Sequence, residues 1–198
     1  MFEHDTSSTA LVLVDVINGL SFEGSEGIVQ AATLAAPKIC ALRERAHRAG
    51  VPVVYVNDNF GQWRSDLRAI IAACTAADQP GRDITRMLVP TERDYFILKP
   101  RHSAFYCTAL EPLLQSFGAR RLVLAGFAAN ICLLFSANDA YMRGYEVAVP
   151  ADCTAANSPA LVEQALAQLR VAANARTDAS DELDLTALRD DGEPSSRT

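Results

Sequence analysis

Short runs of apolar, largely β-branched residues alternate along this chain with stretches whose apolar residues recur every three or four positions. The runs at residues 10–16, 51–57, 95–98, 121–126 and 145–149 are largely apolar, and read as strands covered on both faces. Between the first two, Ala32, Ala35, Ile39, Leu42, Ala46 and Ala49 form one helical stripe that Gly50 closes. Pro37 lies inside that stripe, so the helix is expected either to kink or to begin there. Further helices fit residues 66–74, 108–117, 131–142 and 159–169, the last with Ser158 as N-cap and Pro159 as first helical residue. Strands that alternate with helices build βαβ units, so the expected architecture is α/β with a mostly parallel sheet. Ligands of such sheets bind beyond the carboxyl ends of the strands.

Composition narrows the function classes. The chain has 198 residues, enough for one domain that buries roughly 70% of its unfolded surface. Its net charge is −6, with no Lys/Arg run, which argues against a nucleic-acid partner. Seven acids against two arginines follow Thr177, so that end carries most of the charge. The expected organisation is a single domain over residues 1–189 and an acidic, disordered tail over 190–198. The apolar run at residues 10–14 is too short to span a membrane, and no basic flank marks a signal peptide. The five cysteines are scattered and lack CxxC spacing, which points to reduced thiols and a cytoplasmic protein.

Three residues at strand ends bear on chemistry. Asp15 directly follows an apolar run, where a carboxylate needs a partner, although a helix cap or turn would explain it as well. Lys99 ends another such run and precedes Pro100, which alone marks only where the chain meets water. Cys132 sits among apolar residues, where a cysteine is more often a small core residue than a nucleophile. Together they are more specific. The segment from Gly126 to Cys132 joins a strand to a helix, which places the thiol in the helix's first turn. Helix dipole and lysine ammonium would there lower the thiol pKa. Asp15 can accept the thiol proton and return it to a leaving group, and backbone N–H groups of the turn can hold an oxyanion.

The segments LVLVDVINGL, ILKPRHSAFYCTAL, LVLAGFAANICLL and PADCTAANSPALVEQAL resemble, in order and over most of the chain, the isochorismatase-like cysteine hydrolases. That superfamily includes nicotinamidases, N-carbamoylsarcosine amidohydrolase and other small amidases. The resemblance implies Asp15 as general base, Lys99 as electrostatic partner and Cys132 as the nucleophile that forms a thioester. It also implies a cis peptide between Phe127 and Ala128 that directs the Ala128 and Cys132 amides at an oxyanion. The implied fold is Rossmann-like and three-layered, a parallel sheet of about six strands with helices on both faces. Assembly as a homo-dimer or homo-tetramer is implied as well.

One feature of the resemblance fails. Nicotinamidases carry an Asp and several His after the second strand, whereas here Asp58 has no His near it in sequence. No metal site and no cofactor are therefore expected, and Asn57, Asp58 and Asn59 read as a polar turn. Phe22, Trp63, Phe105 and Phe127 are the candidate substrate-binding residues, while His102 reads as a surface residue with substrate contact open. The expected activity is hydrolysis of the C–N bond of a small amide, carbamoyl or ureido compound. The alternatives are hydrolysis of a non-amide substrate, as in the vinyl-ether-cleaving branch, or a non-catalytic thiol-based binding or redox-sensing protein.

Overall fold

The computed structural model describes residues 5–186. Its central sheet contains β1 (Thr9–Val14), β2 (Val53–Asp58), β3 (Tyr95–Lys99), β4 (Arg121–Phe127) and β5 (Glu146–Ala148). These strands lie in the order β3-β2-β1-β4-β5, and the two-residue β6 (Thr154–Ala155) pairs with the end of β4. Every pairing is parallel. The acidic tail expected over 190–198 lies outside the described residues. Among the described residues no helix is long and apolar enough to cross a membrane.

Helices cover both faces. On one side lie α1 (Glu26–Arg48), α2 (Leu67–Cys74) and α3 (Arg82–Met87), and on the other α4 (Leu110–Phe117), α5 (Leu134–Met142) and α6 (Pro159–Ala172). The successive apolar residues of β1 divide between these layers. Leu11 and Leu13 pack under α1, while Ala10, Val12 and Val14 face the α4–α6 side.

The helical stripe behaves as its periodicity requires, since Ala32, Ala35, Ile39, Leu42 and Ala46 are all buried. The helix does not begin at Pro37, however, but runs through it from Glu26. Pro37 and Thr33, whose carbonyl the missing N–H would have met, are both exposed, so water can satisfy that carbonyl. The Ser158 hydroxyl accepts the Leu161 N–H at 3.3 Å and caps α6 as expected. The segment expected as one helix over 131–142 is divided. A π-helical turn, Ala129–Leu133, precedes α5, and the Leu133 N–H donates to the Ala128 carbonyl five residues back.

The strand order reverses between β1 and β4, one running on to β2 and β3 and the other to β5. This switch point opens a crevice at the carboxyl ends of the central strands. Gly126 is needed there. It pairs with Val14 across the two strands, its φ is +128°, and a Cβ would lie 2.0 Å from the Val14 carbonyl oxygen.

Candidate active site

Asp15, Lys99 and Cys132 converge at this crevice. Asp15 follows β1 with a positive φ of 53°, a conformation that Asp tolerates better than bulkier residues. Lys99 ends β3 and reaches across the end of β2, placing Nζ 2.8 Å from Asp15 Oδ2 and 3.7 Å from Cys132 Sγ. Nζ also donates to the Arg101 carbonyl at 3.1 Å. Asp15 is 4% exposed and Lys99 0%, so each charge depends on the other and on nearby dipoles.

Neighbours absent from the sequence-based site complete the arrangement. Asp58, at the end of β2, puts Oδ2 3.5 Å from Lys99 Nζ, and its N–H donates to Asp15 Oδ1 at 2.7 Å. The polar-turn reading holds as well, because Asp58 Oδ1 accepts the Phe60 N–H and Asn59 Oδ1 the Gly61 N–H. Asn57 holds the turn after Asp15, accepting from the Ile17 N–H and donating to its carbonyl. On the thiol side, the Ser136 hydroxyl donates to the Cys132 carbonyl at 2.6 Å and accepts the Ala104 N–H at 2.9 Å. It thereby ties the loop after Lys99 to the π turn. Ser103 of that loop donates to the Asp139 carboxylate on α5. The usable signal was positional. Asp58 ends the strand between β1 and β3, and Ser136 lies one helical turn beyond the thiol.

The electrostatics correct one expectation. Burial, and after it the Asp15 carboxylate, push the Cys132 thiol up to about 12, against the opposing pull of Lys99. Nor does the thiol sit in an α-helical first turn, since Cys132 belongs to the π turn ahead of α5. Burial likewise raises Asp15, although Lys99 and the hydrogen bond with Cys132 oppose the shift. Burial would lower Lys99, but Asp15, then Cys132 and Asp58, hold its ammonium above the ordinary value. Lys99 is thus the shared neighbour of the carboxyl and the thiol, and the cation that opposes the effect of burial on both.

The peptide between Phe127 and Ala128 is cis. A cavity of about 560 Å³ has Asp58, Asn59, Trp63, Arg101, His102 and Tyr106 among its walls; it meets the trio only through Asp58 and His102, neighbours of Lys99 and Cys132. Trp63 lines this cavity and is 79% exposed. The other aromatic candidates do not form that wall. Phe105 is buried in the α4–α6 layer, with Tyr145 at 6.1 Å and the Arg143 guanidinium 4.8 Å over its ring. The Phe127 side chain is buried in the α1 layer, because strand alternation turns it away from the side of Cys132. Phe22 is half-exposed outside the cavity. His102 does reach the site, its Nδ1 3.8 Å from Cys132 Sγ. Among the described residues no group of three or more His, Cys, Asp or Glu side chains is arranged to hold a metal ion.

This architecture and this trio can be set beside known proteins. A family model for the isochorismatase domain matches residues 9–181. The isochorismatase family protein YaaI of Bacillus subtilis (strain 168), itself described as uncharacterized, is 42% identical over 149 residues, covering 75% of this chain and 81% of the relative. Ureidoacrylate amidohydrolase RutB of Serratia proteamaculans (strain 568) is 29% identical over 184 residues, covering 79% of this chain and 73% of RutB. The crystal structure of N-carbamoylsarcosine amidase from Thermoplasma acidophilum superposes with a TM-score of 0.70 at 27% identity, covering 89% of this chain and 99% of that one. With the domain matched over most of its length and a sheet that agrees with solved members, this chain belongs to the isochorismatase family of hydrolases.

Proposed function

We propose that the protein is a cysteine amidohydrolase that cleaves the C–N bond of a small amide, carbamoyl or ureido compound through a thioester. The observation that carries this reading is the contact of one ammonium, Lys99 Nζ, with both a buried carboxylate and a thiol, 2.8 Å from Asp15 and 3.7 Å from Cys132. The raised thiol suits the task. A neutral thiol beside a carboxylate gives up its proton only when charge can be redistributed, and Lys99 is placed to receive the thiolate.

In the proposed reaction the substrate carbonyl lies against Cys132 with its oxygen toward the Ala128 and Cys132 N–H groups. Asp15 removes the thiol proton as sulfur attacks carbon, and the proton it has gained passes to the leaving nitrogen as the C–N bond breaks. Ammonia or an amine departs and the acyl group remains on sulfur. A cavity of about 560 Å³ suits a small ligand. Names among similar proteins, a ureidoacrylate amidohydrolase and an N-carbamoylsarcosine amidase, support amide-type chemistry.

The test is a screen of small amides, N-carbamoyl amino acids and ureido acids for ammonia release, run beside the Cys132→Ala protein. Turnover by the native chain and none by the variant is the expected result. Inactivity toward every C–N substrate, with cleavage of a vinyl ether instead, would refute it. A redox-sensing role is the weaker reading, because a sensor requires a readily ionised thiol and burial pushes this one up.

A further inference from the structure

Two residues at the end of β3 and just beyond it touch the Cys132 sulfur, Lys99 with Nζ at 3.7 Å and His102 with Nδ1 at 3.8 Å. Arg101 lies between them in the chain, and its carbonyl accepts Lys99 Nζ at 3.1 Å. The backbone of Arg101 is therefore held beside the reacting centre. Its side chain has no comparable tie. Arg101 is exposed and lines the cavity of about 560 Å³, and among the described residues its guanidinium donates no hydrogen bond and meets no carboxylate.

The acidic group of the same cavity is already engaged. Asp58 places Oδ2 3.5 Å from Lys99 Nζ and accepts the Phe60 N–H on Oδ1, so its carboxylate serves the protein's own groups. The Asn59 side-chain oxygen likewise accepts the Gly61 N–H. Arg101 is the only lysine or arginine among the described residues of the wall, which it shares with the exposed rings of Trp63 and Tyr106. The charge left uncommitted for a ligand is therefore one guanidinium.

A guanidinium presents its N–H groups as a planar fork that fits a carboxylate through two parallel hydrogen bonds. One such cation matches a singly charged carboxylate, whereas a phosphate monoester brings a charge of about −1.5 to −2 and leaves part of it unmatched. We propose that the substrate is a carboxylate anion, an amido, N-carbamoyl or ureido acid, and that Arg101 binds its carboxylate and so selects it over neutral amides. The inference rests on the amidohydrolase reading above and narrows its substrate class. Arg101 acts in binding and takes no part in the proton transfers. Its hold on one end of the molecule turns the other end, with the scissile C–N bond, toward Cys132.

The experiment compares acids with neutral isosteres, succinamate with isocaproamide and N-carbamoylglycine with isobutylurea. Ammonia release is measured for native protein, Arg101→Gln and Arg101→Lys, neither of which alters the carbonyl that Lys99 meets. Native protein is expected to favour the acid in kcat/KM by about 10–100-fold, the range of a charge-assisted hydrogen-bonded pair. Arg101→Gln should lose that preference through a higher KM for the acid, and Arg101→Lys should keep part of it. Equal cleavage of acid and isostere by native protein, or a preference that survives in Arg101→Gln, would overturn the proposal. So would a fall shared equally by acid and isostere, which would assign Arg101 to structure. If no C–N substrate of either kind is cleaved, the amidohydrolase reading fails, and alkylation of Cys132 decides Arg101 separately. N-iodoacetylglycine and N-isobutyl iodoacetamide are then compared by peptide mass mapping, each rate taken relative to free cysteine. Faster alkylation by the acid, lost in Arg101→Gln, would uphold the anion site, and equal relative rates in native protein would overturn it.

Discussion

Lys99 Nζ and Asp15 Oδ2 are 2.8 Å apart in a place closed to solvent, so the charge of each is sustained chiefly by the other. Breaking such a pair by removing one partner typically costs about 3–5 kcal/mol, because the remaining charge is left buried and unpaired. Lys99→Met should therefore lower stability by about that amount, as read from urea unfolding. It should also alter the pH dependence of activity. Asp15 must be ionised to accept the thiol proton, so activity falls as pH drops toward its raised pKa. Lys99 opposes that rise, so the variant's acid limb in kcat/KM should move to higher pH. An acid limb that stays in place or moves down would contradict this coupling.

The thiol makes the opposite prediction at alkaline pH. Burial and the Asp15 carboxylate disfavour the thiolate, so iodoacetamide should modify the exposed Cys107 before Cys132 at neutral pH. Labelling of Cys132 should keep rising as pH approaches about 12. Asp15→Asn removes a negative charge that raises the thiol, so it should speed labelling while cutting turnover about 10²–10⁴-fold. Labelling and activity that fall together in this variant would show that Asp15 activates the resting thiol.

Ser136 joins two parts of the site through one hydroxyl. Ser136→Ala leaves the buried Ala104 N–H without its acceptor and the Cys132 carbonyl without a donor. Leaving a buried polar group unsatisfied costs about 1–3 kcal/mol, so a loss of that size is expected in thermal or chemical unfolding. Turnover should drop with it, since the loop that follows Lys99 loses its tie to the π turn. Unchanged stability would mean that water replaces the hydroxyl.

Gly126→Ala tests the close approach of β1 and β4. The new Cβ would lie 2.0 Å from the Val14 carbonyl oxygen at a φ of +128°. Strained backbone alone costs about 1–3 kcal/mol, and the clash adds to it. Destabilisation above about 3 kcal/mol, or failure to yield folded protein, is expected. Wild-type unfolding behaviour would show that the strands can separate at this point.

Metal dependence is a further test. Asp58 meets Lys99 and its own turn, and among the described residues no cluster of ligands surrounds it. Prolonged dialysis against a chelator should leave turnover unchanged. Loss of activity that returns on adding zinc or iron would contradict the proposed chemistry.

Periodicity and strand-end position are local properties of a chain, and they determined much about this protein by themselves. Successive apolar residues mark β1 as covered on both faces, the alternation of strands and helices specifies a parallel sheet, and Asp15 and Lys99 stand where apolar runs end; β3, however, is a half-buried edge strand in which Lys99 alone is fully buried. Contacts between residues far apart in sequence were decided only by the tertiary structure. The two-residue β6 and six-residue α3 are too short to carry a readable period. Phe105 is apolar whether it faces a cavity or a core, and only the packing of α5 and Tyr145 around it settles which. Asp58 becomes a partner of Lys99 because β2 lies between β1 and β3, and His102 reaches the sulfur because its loop is tied to α5. The direction of the Cys132 shift is likewise a tertiary property. A lysine would lower that thiol, but the burial and carboxylate that outweigh it arise only when β1, β3 and the π turn meet.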